Sequence, residues 1–189
     1  MDVVPTPSQT VGPFFQIELT TDEHCVRCIA GTDTKGERAW ITFRVLDGDG
    51  APVDDAMLEI WQADSTGKYN HPDDPRPGML DQGWFGFGRL ATGEDGSCLL
   101  ETIKPGCVRY NTVQAPHLTV AVFARGMLKQ LFTRVYFAGD PANAADPILS
   151  LVPPERRDTL IATPESARAG HWHFDLRLQG GQETVFFDV

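Results

Sequence analysis

The sequence predicts an all-β protein, an antiparallel β-sandwich with an irregular N-terminal arm and one short helix. Three observations carry this. The 189 residues include 18 Gly and 14 Pro, which cut the chain into pieces too short for long helices. Between the cuts lie runs of alternating or β-branched residues, as in strands with one buried face. Only one stretch opens like a helix. Many short strands joined by Gly/Pro turns fit a sandwich or barrel, and the sandwich is the expectation.

The elements follow in order. TPSQTVGPFF (6–15) is apolar and proline-punctuated, without strand alternation. Pro5, Pro7, Pro13, Phe14 and Phe15 favour an ordered arm, about 1–20, that packs on something. WITFRVL (40–46) alternates and stops at DGDG, and AMLEIWQA (56–63) follows. SCLLETI (97–103) lies between DG and KPG. LTVAVFA (118–124) and QLFTRVYF (130–137) flank Arg125-Gly126, a hairpin signal. PPERRDTLIA (153–162) reads as the helix, with prolines in its first turn. HWHFDLRLQ (171–179) and ETVFFDV (183–189) flank GGQ, a second hairpin. With no repeat, low-complexity segment or linker, residues 1–189 are expected to form one domain.

The formal net charge of −10 argues against nucleic acid or an anionic membrane as partner. No apolar run is long enough to cross a bilayer. The opening MDVVPTPSQTVGPFF lacks the basic start and apolar stretch of a signal peptide, so a cytoplasmic location is expected. There, Cys25, Cys28, Cys98 and Cys107 would be free thiols.

Several local patterns invite a chemical reading. His171 and His173 would share one strand face and could reach one metal, but no third ligand is evident nearby; the plainer reading puts Trp172 and Phe174 in the core. His24-Cys25-x-x-Cys28 is half of a zinc site, and Cys98 and Cys107 are not spaced as the other half. No nucleophile elbow or phosphate loop is present. Asp54-Asp55 and Asp73-Asp74 read as solvated turns.

Three further segments belong together: EIWQADSTGKY (59–69), GFGRLATGEDGSCLLETIKPG (86–106) and APHLTVAVFARG (115–126). Their order and content resemble the intradiol ring-cleaving dioxygenases, from TPSQTVGPF to the closing ETVFFD. The resemblance implies a scaffold whose catalytic members hold one Fe(III) with two tyrosines and two histidines, donors suited to a hard cation. The first tyrosine closes W-x-A-x-x-x-G-x-Y and corresponds to Tyr69. The second lies two residues beyond the P-G of K-P-G, where this chain has Val108. The histidine pair reads His117-Leu118-Thr119, and the arginine three residues ahead of it is Gln114.

Tyr69 and His117 remain; Val108 and Thr119 cannot serve as ligands. Tyr110 could slide in for Val108, but nothing obvious replaces the second histidine. The pattern is similar to the metal-free α subunit of two-subunit members, whose catalytic β subunit carries Fe(III). This chain then needs no cofactor and has no catalytic residue of its own. The resemblance implies that Thr10, Gly12 and Pro13 of the arm, with Arg125, wall the partner's pocket for 3,4-dihydroxybenzoate. Two other readings stand beside it: a self-sufficient dioxygenase using Tyr69, Tyr110, His117 and another residue, and a β-sandwich scaffold without catalytic part.

Overall fold

The computed structural model describes residues 4–12, 14–76, 79–109 and 111–188. Ten strands form: β1 (Arg38–Leu46), β2 (Met57–Gln62), β3 (Phe87–Ala91), β4 (Ser97–Ile103), β5 (Val108–Arg109), β6 (Val113–Gln114), β7 (His117–Phe123), β8 (Leu131–Phe137), β9 (Ile161–Pro164) and β10 (His171–Arg177). The fold is all-β, as the patterning predicts. Eight strands lie in one sheet, in the order β3-β2-β7-β8-β9-β10-β1-β4, and β5 pairs with β6.

The expected sandwich is corrected to a barrel-like sheet, and backbone hydrogen bonds show why. The extended segment 26–29 lies between the two sheet edges. Val26 and Arg89 of β3 exchange bonds of 2.8 and 3.1 Å. One turn of chain later, Glu101 of β4 donates to Arg27 O at 2.8 Å and accepts from Ile29 N at 3.0 Å. One short segment thus covers both edges, so the sheet curls toward closure instead of dividing into two.

Strictly antiparallel pairing is corrected too: β1–β10 and β8–β9 are parallel. Parallel neighbours need a crossover. For β8 and β9, residues 138–160 supply it through 3-10 turns at Pro141–Ala145, Leu149–Leu151 and Pro154–Leu160. The last of these is the expected helix, with proline in its first turn, but β9 claims everything from Ile161 and leaves it seven residues. The single expected helix becomes these three turns and a π-helical turn at Phe15–Leu19 among the described residues.

The first hairpin forms. β7 and β8 pair from His117↔Tyr136 to Val122↔Leu131, and Gly126 takes φ +86° at the tip, a conformation natural to glycine. The second does not. Thr184 N reaches Arg177 O of β10 at 2.9 Å, but residues 183–188 build no strand ladder on it. Phe187 instead bridges Phe132 of β8, its N–H reaching Phe132 O at 2.8 Å.

Alternation packs the barrel. Ile41, Phe43 and Val45 of β1, Leu58 and Ile60 of β2, Val135 and Phe137 of β8, and Phe174 and Leu176 of β10 share one buried cluster. A smaller cluster of Ala115, Tyr136, Leu149, Val152 and Leu160 lies under the short helical turns and seats the start of β7. No helix among the described residues is long and apolar enough to cross a membrane.

Candidate functional site

The site is built where the loop after β2 meets the start of β7. Asp64 organises the loop, accepting from Thr66 N at 2.8 Å and Lys68 N at 2.9 Å. Gly67 presses against the strand that follows: a Cβ there would lie 2.0 Å from Cys107 O, so only glycine fits. Tyr69 comes next. Asp74 Oδ2 accepts its backbone N–H at 2.8 Å. Its ring stacks on Trp61 at 5.9 Å and 7°, and the Arg76 guanidinium lies 5.4 Å over its face. Arg76 is in turn fixed by a two-pronged pairing with Asp74, which holds the Asp74 carboxyl far below the usual carboxylate range.

His117 lies across from this ring. Its Nδ1 is 2.7 Å from Ala115 O. A carbonyl only accepts, so Nδ1 carries the proton and Nε2 is the acceptor. The Tyr69 hydroxyl, 3.4 Å from Nε2, is the group that donates to it. Burial, then the nearby Arg134, pushes the His117 pKa down to about 4. Burial raises the Tyr69 phenol, with Arg134 and Arg76 opposing. Both side chains are therefore neutral near pH 7.

A cavity of about 430 Å³ opens beside them, bordered by Trp61, Tyr69, Arg76, Val108, Gln114 and Arg134. Arg134 reaches it from β8, where it stands directly opposite Thr119, and donates Nη1–H to Gln114 Oε1 at 2.8 Å. Thr119 itself borders the adjacent cleft with Trp61, Phe87 and Phe132.

These residues do not fit Fe(III). Val108 offers only hydrocarbon and Thr119 only a neutral hydroxyl, while Tyr69 and His117 are turned on each other. A guanidinium acts on both remaining donors, and a cation at that range opposes binding of a second one. Tyr110 lies outside the described residues. Among the described residues, no group of three or more His, Cys, Asp or Glu is placed to hold a metal. His171 stacks on Trp40 at 4.9 Å, and His173 Nε2 is 2.8 Å from Asp175 Oδ1. His24 pairs with Thr21 at 2.9 Å, whereas the Cys25 and Cys28 thiols reach the carbonyls of Thr20 and Ala30. All four cysteines are free thiols, and burial pushes Cys98 up to about 12, so it is unreactive.

The second group of expected residues gathers at the other end of β7. Thr10 Oγ1 accepts from Gly126 N at 2.7 Å, which fastens the arm to the β7–β8 tip. Phe15 packs on Phe123 at 6.3 Å. Gly12 has open space around its α-carbon and accepts from Phe15 N at 3.1 Å. Arg125 forms an ion pair with Asp55. Pro13 lies outside the described residues. Thr10, Gly12 and Arg125 thus form one neighbourhood, eight residues of chain and about 25 Å from His117.

Two expectations need correction. Asp55 and Asp74 were expected to be solvated, yet their side chains are only 9% and 3% exposed, because each neutralises an arginine. Patterning also passed over Arg76 and Arg134. For Arg134 a signal existed: in a β7–β8 hairpin closing at Arg125-Gly126, it falls opposite Thr119.

Comparison with known proteins accords with this geometry. The profile of the family described as Dioxygenase (Dioxygenase_C) matches residues 10–180. The chain is 43% identical to the protocatechuate 3,4-dioxygenase alpha chain of Burkholderia cepacia over 97% of each chain. It is 41% identical to that of Pseudomonas putida, covering 97% of this chain and 96% of the relative. The dioxygenase domain of a dioxygenase carbohydrate-binding fusion from Streptomyces sp. SirexAA-E superposes at TM-score 0.64 with 28% identity, covering 94% of this chain and 100% of that one. The chain, with its all-β, barrel-like sheet, belongs to the intradiol dioxygenase family.

Proposed function

We propose that this chain is the metal-free α subunit of a protocatechuate 3,4-dioxygenase, a single domain over 1–189 that works in the cytoplasm. The observation that carries the reading is the dismantled ligand set, Val108 and Thr119 beside an intact Tyr69 and His117, in a chain 43% identical to an α chain along its length. The partner is a catalytic β subunit of the same family, which binds Fe(III) and cleaves 3,4-dihydroxybenzoate with O2 to 3-carboxy-cis,cis-muconate. This chain is an enzyme subunit in aromatic catabolism, inactive alone.

Its part in the reaction is to shape the partner's pocket. Thr10, Gly12, Pro13 and Arg125 form the wall. The fastening of Thr10 to Gly126, next to Arg125, supports their acting together. Gly12 lets the backbone approach a flat ring closely, and Arg125 supplies a cation for the carboxylate remote from the catechol oxygens.

Iron analysis tests the reading. Purified alone, the chain is expected to hold no stoichiometric iron and show no tyrosinate-to-iron band; both appear, with turnover, once a β chain is co-expressed. One iron per isolated chain, with colour and activity, would reject the proposal in favour of a self-sufficient enzyme.

A further inference from the structure

A pocket lies open beside Tyr69 although its residues do not suit a metal. Its volume of about 430 Å³ exceeds what one aromatic ring needs. Trp61 and Tyr69, stacked on each other, border it with aromatic surface, and Val108 adds hydrocarbon. Such surface takes a planar ring in an offset or edge-to-face contact.

The polar side of the pocket is cationic. Two guanidiniums, Arg76 and Arg134, border it. The Asp74 carboxylate is consumed by Arg76, and Asp73 is turned to solvent with 89% of its side chain exposed. A guanidinium has five N–H donors; on Arg134, Gln114 takes one and the Tyr136 hydroxyl another. Arg76 Nη1 is buried with no hydrogen-bond partner among the described residues; a buried donor left so is costly unless a ligand supplies the acceptor. Neutral Tyr69 and His117 add no negative charge. Aromatic surface beside two guanidiniums, with Arg76 Nη1 unpartnered among the described residues, complements a planar anion with its charge at one end.

We infer that this chain's own cavity binds a small aromatic carboxylate of the benzoate class, with the carboxylate on Arg134 and the ring against the Trp61–Tyr69 wall. The guanidinium takes over the charge role that a metal has elsewhere in the family. The inference stands on this chain's cavity and does not depend on the partner's iron or on the placement of Arg125.

The test uses 4-bromobenzoate with the full chain in complex with its iron-bearing partner. Crystals soaked in the ligand are expected to show bromine anomalous density in the cavity beside Arg134. R134Q is expected to lose that density and to bind at least tenfold more weakly at this site by titration calorimetry. R134K, which keeps the charge, retains it, and uncharged 4-bromobenzyl alcohol does not enter. An empty cavity in the wild-type crystals, density that persists in R134Q, or equal binding of the alcohol would each overturn the inference. Density confined to the partner's iron pocket would overturn it too while leaving the subunit reading intact, so the two proposals fail separately.

Discussion

His117 links local geometry to stability. Ala115 O fixes its tautomer, and burial holds it neutral with a pKa near 4 against an ordinary 6.5. The unfolded chain therefore binds the extra proton first as pH falls. The stabilisation is complete above about pH 6.5, and it is lost between there and pH 4. A shift of that size corresponds to about 3 kcal/mol. Denaturant unfolding of wild type and His117→Gln at pH 7 and pH 4 should show the wild type losing more stability by about that amount. Parallel losses would mean that the imidazole is not held neutral.

Arg125 is a residue-scale case of another kind. It is two-thirds exposed and paired with Asp55, so its value lies in where it points and not in folding energy. Arg125→Ala is expected to lower kcat/KM for 3,4-dihydroxybenzoate in the αβ complex by about tenfold, the scale of one charge-assisted hydrogen bond, and to leave catechol, which has no carboxylate, nearly unchanged. An equal loss on both substrates would return Arg125 to a structural role at the hairpin tip.

At the scale of elements, strands with regular alternation were legible and those set by neighbours were not. SCLLETI became β4 residue for residue, because every second side chain enters the barrel. β3 carries Gly88, which breaks the apolar pattern; an added Cβ there would meet Ile29 at 3.1 Å and Val26 O at 3.2 Å. β9 hides behind a helical turn. The arm has no strand pattern, yet Thr10 fastens it to the hairpin of β7 and β8. Deleting residues 1–13 removes Thr10 and Gly12 but spares the Phe15–Phe123 contact. The truncated complex should assemble and yet turn over poorly, as read by gel filtration and steady-state kinetics; unchanged constants would contradict the arm's role.

At the scale of the whole molecule, apolar side chains stand exposed where the arm meets the hairpin tip. Phe14 and Ile17 are 77% and 64% exposed on the turn that follows the arm, and Leu128 stands exposed at the hairpin tip nearby. Clustered exposure of this kind marks an interface. Light scattering of the chain alone should show self-association, and co-expression with a β chain should yield one defined complex. A monodisperse monomer that ignores the β chain would rule the partnership out.

By itself the sequence determined the all-β class and the family, because alternation and the chemistry of a side chain are local properties. Whether Val108 and Thr119 could ligate a metal needed no coordinates. Tertiary structure alone decided the barrel-like closure, since the segment 26–29 that spans the sheet edges has no strand pattern and is held by backbone bonds to Arg89 and Glu101, far along the chain. It likewise decided that Thr10 and Arg125 share a neighbourhood, that the chain beyond Thr184 crosses to β8 at Phe132, and that Arg134 and Arg76 face the cavity beside Tyr69. Each depends on which strands become neighbours, a long-range outcome that no single segment encodes.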